Sequence, residues 1–298
     1  MQWGQIKTLF ILSFLIVDIF LLNQLLDKRF EVTESFGGND TPLAEQMEAD
    51  DIDVSAVPSD TPKASYLTLD RAEFTEDDKT ELDQIDGLNA RIYNDDLIAA
   101  RFEEPIPIDE DASREEIMEL VNDTFLYNDL YSYWGWNKAE NVLMFFQKSK
   151  GSTVYFNESG MIMFLVEKGE IVGYVQTRLK PPNEEDVDEK ELIPPISAVY
   201  LLYTRNHIVP GDEVTDVTLG YHSKIKPELD GLSRLQIFAP VYKVTINNEK
   251  ELFLNATPYE GIIEMNESEF IKQTKEKFTE TIQSNNGPVV PMEDGTEQ

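Results

Sequence analysis

No cysteine occurs among the 298 residues, which excludes a disulfide framework and any thiolate metal site. Histidine is nearly as scarce. His207 and His222 cannot complete a zinc site of usual ligand count without carboxylates, and both read as loop-edge residues rather than bases or ligands. Basic residues are few: 25 Lys and Arg stand against 57 Asp and Glu, a net charge of −32. Nothing resembles the basic stripe that would release phosphate counterions, so nucleic acid is excluded as a partner, and lying flat on anionic lipid is disfavoured. The chain also lacks G-x-S-x-G, H-E-x-x-H, S-x-x-K with its companion motifs, and a phosphate-cradling glycine loop. Nucleophilic, nucleotide and cofactor chemistry therefore have no candidate residues. Paired carboxylates for glycoside cleavage stay open, because their separation is a three-dimensional quantity.

What the chain does have is a long apolar run at its start, Leu9 to Leu26, LFILSFLIVDIFLLNQLL. At ~1.5 Å per residue this run spans ~27 Å as a helix, close to the ~30 Å of bilayer hydrocarbon. It ends in Gln24-Leu25-Leu26-Asp27-Lys28-Arg29, which offers no small-residue cleavage site, so it reads as an uncleaved anchor rather than a signal peptide. Lys7 stands before it and Lys28 and Arg29 after it, so local positive charge does not decide the orientation. The short amino end and the long acidic remainder predict a single-pass protein of the cell membrane, with the amino terminus cytoplasmic and the bulk extracellular. Thr8, Ile11, Leu15, Asp18, Leu22 and Leu25 recur at intervals of three and four, which places them on one seam suited to helix packing. Asp18 sits near mid-membrane, where an acid costs ~2.5–3.5 kcal/mol on insertion scales. Either a partner helix compensates that cost or the apolar excess of a lone helix absorbs it.

Beyond the anchor (1–27), residues 28–62 read as an acidic flexible linker. No Lys or Arg occurs from Glu31 to Pro62, large apolar residues are few, and Gly37-Gly38, Pro42, Pro58 and Pro62 interrupt any long element. Asp50-Asp51-Ile52-Asp53 lacks the glycine and terminal glutamate of a calcium loop and reads as solvated linker. A first α+β domain is predicted over 63–182. Thr75-Glu76-Asp77-Asp78 and Ser113-Arg114-Glu115-Glu116 are helix starts, the second followed by an aromatic run from Phe125 to Trp136 that reads as core more readily than as a binding groove. Strands at Val142–Phe146, Ser152–Phe156, Met161–Val166 and Ile171–Leu179, separated by short Gly-bearing turns, predict an antiparallel meander. Pro181-Pro182 and the acids after it mark a boundary. A second α+β domain over 183–283 begins with a helix carrying Ile196, Val199, Tyr200 and Tyr203. It continues with strands at 213–221, 234–246 and 251–255, and ends with a helix carrying Phe270, Thr274, Phe278 and Ile282. Residues 284–298 read as an acidic flexible tail.

Four stretches carry a resemblance to a known family. They are Met1-Gln2-Trp3-Gly4-Gln5-Ile6-Lys7-Thr8 running into Phe14–Leu22; Phe156-Asn157-Glu158-Ser159-Gly160; Ile171-Val172-Gly173-Tyr174-Val175-Gln176-Thr177; and Phe253-Leu254-Asn255-Ala256 leading to Glu260-Gly261-Ile262-Ile263. In their order the chain resembles the YycI (WalI) family, membrane-anchored regulators of an essential sensor histidine kinase in low-GC Gram-positive bacteria. The resemblance implies a non-enzymatic role without cofactor. The anchor helix would associate with the helices of a WalK-like kinase and a YycH-like regulator to adjust control of cell-wall metabolism. An anchored extracytoplasmic scaffold or ligand-binding module is the alternative, and a cell-wall hydrolase, lacking nucleophiles, a weaker one.

Overall fold

The computed structural model describes residues 7, 10–22, 41–182, 189–223, 235–258 and 261–285. The helices are α1 (10–22), α2 (Thr41–Ala49), α3 (Glu76–Leu82), α4 (Arg114–Val121), α5 (Pro195–Thr204) and α6 (Glu267–Ser284). The first strands are β1 (Lys63–Ala64), β2 (Leu67–Asp70), β3 (Leu88–Tyr93), β4 (Leu97–Pro107), β5 (Tyr131–Asn137), β6 (Val142–Ser149) and β7 (Ser152–Tyr155). The rest are β8 (Met161–Glu167), β9 (Glu170–Gln176), β10 (Lys190–Glu191), β11 (Val214–Ser223), β12 (Leu235–Ile246), β13 (Lys250–Asn255) and β14 (Ile262–Ile263). The result is a mixed α+β fold rich in antiparallel pairing. It divides into two compact units, one made of Met1–Lys63, Glu191–Thr218 and Tyr242–Ile263, the other of Ala64–Lys190, Leu219–Val241 and Glu264–Gln298.

The second unit is built on strands ordered β7-β6-β8-β9-β4-β3, with β5 also paired to β6. Two-residue turns set its register: Lys150-Gly151 joins β6 to β7 and Lys168-Gly169 joins β8 to β9, all four residues at positive φ. That is the turn whose twist matches paired strands. Alternate residues put Ile98, Ala100, Phe102, Leu143, Phe145, Ile162, Phe164 and Tyr174 on one face, packed with Leu82 of α3 and Ile117 and Val121 of α4. Both helices begin with the capping boxes predicted for them, Thr75 with Asp78 and Ser113 with Glu116. The opposite face carries Met144, Phe146, Met161 and Met163, all fully buried, and α6 lies on it with Phe270 against Phe146 and Phe156.

Three local expectations change. The predicted meander is a crossover: β7 turns back along β6, and the chain then passes to the far side of β6 to form β8. Asn157–Gly160 is therefore a buried crossing loop, and β7 pairs in parallel with β11, Tyr221 opposite Val154 and His222 opposite Tyr155. The β3–β4 hairpin has no counterpart among the predicted strands, although Tyr93-Asn94-Asp95-Asp96-Leu97 carries turn residues and pairs Tyr93 with Leu97. The third concerns the acidic stretch before Pro62. In the first unit α2 is a formed helix with Met47 buried, Ile52 is buried, and Asp53 makes a parallel bridge to Glu213 through Asp53 N–H to Asp212 O and Val214 N–H to Asp53 O. Two apolar anchors and backbone pairing offset an ordering cost that a count of large apolar residues assigns to a solvated linker. Around them Ala198, Val199 and Leu202 of α5, together with Ile208, Val214, Tyr242, Val244, Phe253 and Leu254, form the buried interior.

Candidate interaction surfaces

Among the described residues no helix is long and apolar enough to cross a membrane. The predicted span Leu9–Leu26 runs past α1 at both ends. Thr8 and Leu25 of the predicted seam lie outside the described residues. Ile11, Leu15, Asp18 and Leu22 lie on α1 and all are exposed. So are Phe10, Leu12, Phe14, Ile16, Val17, Ile19, Phe20 and Leu21, giving a helix apolar on every side. Two polar groups interrupt it. The Ser13 hydroxyl donates to the Phe10 carbonyl at 2.9 Å, a local bond that satisfies it, and Asp18 is the one ionisable side chain on the helix. The described helix thus exposes apolar side chains all round, with one carboxylate, Asp18, between Leu15 and Leu22.

In the second unit the stretches 156–160 and 171–177 meet in a buried polar node. The Asn157 amide donates to Gln236 Oε1 at 2.7 Å, and Gln236 Nε2 donates to the Ser159 hydroxyl at 2.8 Å. Thr177 Oγ1 donates to the Glu158 carbonyl at 2.8 Å, and Gln147 closes both backbone groups of Leu179 at 2.7 and 2.9 Å. Gly173 is required by the adjoining strand, since a Cβ there would stand 2.2 Å from the Ala100 carbonyl oxygen. Ser159 receives its bond from the Gln236 amide, so the node ties the crossing loop to β12.

A second polar cluster joins α3 to the segment before β5. Asp78 Oδ2 accepts from Thr75 N–H at 2.6 Å and Thr75 Oγ1 at 2.8 Å, while its Oδ1 accepts from Tyr127 OH at 2.5 Å. The Arg178 guanidinium lies 4.1 Å from the Tyr127 ring centroid and 5.8 Å from that of Phe74. Burial works to raise the Asp78 pKa, but the bonds from Tyr127 and Thr75 and the Arg178 charge outweigh it and hold the carboxyl below its usual range. Burial and the bond to Asp78 push the Tyr127 phenol up to about 12. Tyr127 stays neutral at physiological pH and serves as a strut, held at a left-handed φ of 57° that only a few per cent of non-glycine residues adopt.

The two histidines belong to different units. His222 Nδ1 lies 3.2 Å from the Tyr155 carbonyl oxygen, and the His207 carbonyl accepts from Lys250. No group of three or more His, Asp or Glu among the described residues is arranged to hold a metal ion. Each unit has an open acidic cleft, of about 550 Å³ beside Met47, Asp51, Asp53 and Tyr200 in the first and about 440 Å³ beside Pro107, Glu116 and Leu120 in the second. The first also holds Ser55, whose backbone N–H donates to Asp53 Oδ1 at 2.8 Å.

No curated protein matches the chain. Among solved structures, YycH from Bacillus subtilis is matched with a TM-score of 0.37 and 14% identity, over 66% of this chain and 53% of that one. The chain thus spans about half the length of that protein. The family model described as YycI protein matches residues 33–257, which includes the buried node and the close approach at Gly173 and excludes both α1 and α6. Because the match covers well over half of the chain, the protein belongs to the YycI family.

Proposed function

We propose that this protein is a non-enzymatic, single-pass membrane regulator of a WalK-type two-component system. In this reading its bulk lies outside the cell, its amino end is cytoplasmic, and its anchor helix associates with the helices of the sensor kinase and of a YycH-like partner to adjust control of cell-wall metabolism. Membership of the YycI family is the observation that carries the reading. The residues support it independently: α1 is exposed and apolar on every side, and Asp18 is flanked by Leu15 and Leu22 on one seam. A carboxyl that hydrogen-bonds across a helix interface gains ~0.6–2 kcal/mol, which offsets part of its insertion cost.

The test is co-purification of the full chain with the kinase and the YycH-like partner from membranes, at matched expression. Asp18→Leu removes the interhelical bond while easing insertion, so less partner should be recovered although more protein inserts. Ile16→Leu, off the seam, should change little. Undiminished recovery with Asp18→Leu, together with loss of recovery on deleting the extracellular units, would place recognition outside the membrane and sink the seam.

A further inference from the structure

The sheet face beneath α6 has the composition of an adaptable helix-binding groove. Met144 stands directly opposite Met163, and Phe146 opposite Met161, so three methionines and a phenylalanine form a continuous buried patch, with Trp134 and Phe156 packed on Phe146 at its border. Unbranched thioether side chains repack around differently shaped partners, which is why methionine-rich faces accept helices of varied sequence. The resident of this groove is α6, an 18-residue helix that buries Ile271, Thr274, Phe278 and Ile282 at spacings of three and four. Its attachments at the rim are polar. Trp134 Nε1 and Asn137 Nδ2 both donate to Glu267 at 2.8 Å, Lys272 pairs with Glu140 at 3.5 Å, and Lys277 pairs with Glu158. The groove lies within the residues matched by the family model, which end at 257, while its cover lies beyond them.

We infer that this groove is a helix-docking site occupied in cis by α6, and that an amphipathic helix of a partner protein with the same chemistry displaces it. The resident defines that chemistry: apolar side chains at intervals of three and four, and a carboxylate in the first turn for Trp134 and Asn137 to clasp. The apparent affinity for such a helix is its intrinsic affinity reduced by the fraction of molecules in which α6 has left the groove. Loosening the clasp therefore tightens binding in trans without adding a contact.

The test uses the full chain in detergent and a fluorescein-labelled peptide of residues 264–285, read by fluorescence polarisation. Because the chain has no cysteine, Glu158→Cys with Lys277→Cys gives a unique pair of thiols for a short bismaleimide that fastens α6 in place. The parent should bind the peptide weakly, the Glu267→Ala chain at least tenfold more tightly, and the cross-linked chain not at all. A peptide carrying Phe278→Asp should fail against every form. Binding to the cross-linked chain as strong as to the parent would put the peptide elsewhere. Absence of binding to a folded Glu267→Ala chain would show that α6 is a permanent part of the core, and either result overturns the inference. Hydrogen exchange gives a second arm: α6 amides should exchange at least tenfold faster than those of β8 and β9, and a common rate for all three would equally overturn it. Loss of kinase co-purification bears on the regulator reading alone and leaves this exchange assay untouched.

Discussion

At the scale of single residues, Asp78 joins more of the second unit than any sequence pattern reveals. The capping signature Thr75-Glu76-Asp77-Asp78 makes its role in starting α3 legible, because that role is local. Its bond to Tyr127, 49 positions away, and the stacking of Arg178 on that ring are not, because they depend on β9 delivering Arg178 beside a strained residue before β5. Asp78→Ala should cost about 1–3 kcal/mol at pH 7, since it removes the cap and leaves the Tyr127 hydroxyl without its acceptor. Tyr127→Phe keeps the ring under Arg178 and should cost about 1 kcal/mol. The pH dependence has a definite sign. The folded-state pKa of Asp78 lies below its ordinary value, so its contribution is fully present above ~3.9, the unfolded value, and is lost as pH falls through the folded-state value. Urea unfolding of parent and Asp78→Ala at pH 6 and at pH 3 should show the difference shrinking at the lower pH. A difference that stays constant would mean that the carboxylate charge is not what Tyr127 and Thr75 hold.

At the scale of elements, what the sequence made legible depended on how local each signal is. The helix starts of α3, α4 and α6, the turn at Lys168-Gly169 and the strands β6, β8 and β9 are written in neighbouring residues and lie where periodicity and capping put them. The crossing loop at Asn157–Gly160 was not legible as one. Its side chains look like turn residues until Gln236, some 80 positions on, is brought against them. Likewise α2 has a composition that forbids folding alone, and it is ordered by tertiary contacts that composition does not report. That origin makes it separable. Met47→Asp places a charge at a buried site, and segments held by few apolar contacts open first. Cleavage by a glutamate-specific protease at Glu45 and Glu48 should accelerate about tenfold or more, while amide protection of β8 and β9 in the second unit stays at the parent level. Equal loss of protection in those strands would mean that α2 unfolds only with the rest of the molecule. As for the predicted seam, Ile11, Leu15, Asp18 and Leu22 are on one exposed helix, but the feature that singles them out is the position of one aspartate, which the sequence already displays.

At the scale of the whole molecule, the dominant physical fact is a net charge of −32 carried by 298 residues. Salt bridges among the described residues are few and mostly at least partly exposed, such as Lys180 with Asp70 and Lys272 with Glu140, so they neutralise little of it. Unpaired like charges repel more strongly in the compact state than in the expanded one, and mobile ions screen that repulsion with a Debye length that falls from ~30 Å at 0.01 M to ~3 Å at 1 M. Added sodium chloride should therefore raise the melting temperature, by several degrees between about 0.02 and 0.5 M, the reverse of what a fold resting on surface ion pairs would do. The ion's valence then separates screening from binding. Calcium or magnesium at matched ionic strength should add little beyond sodium, and EDTA should leave the melting temperature where it was. A rise of ten degrees or more at millimolar calcium, reversed by chelator, would mean that the carboxylates gather a cation on folding, and the account of this acidity as simple solvated charge would fall.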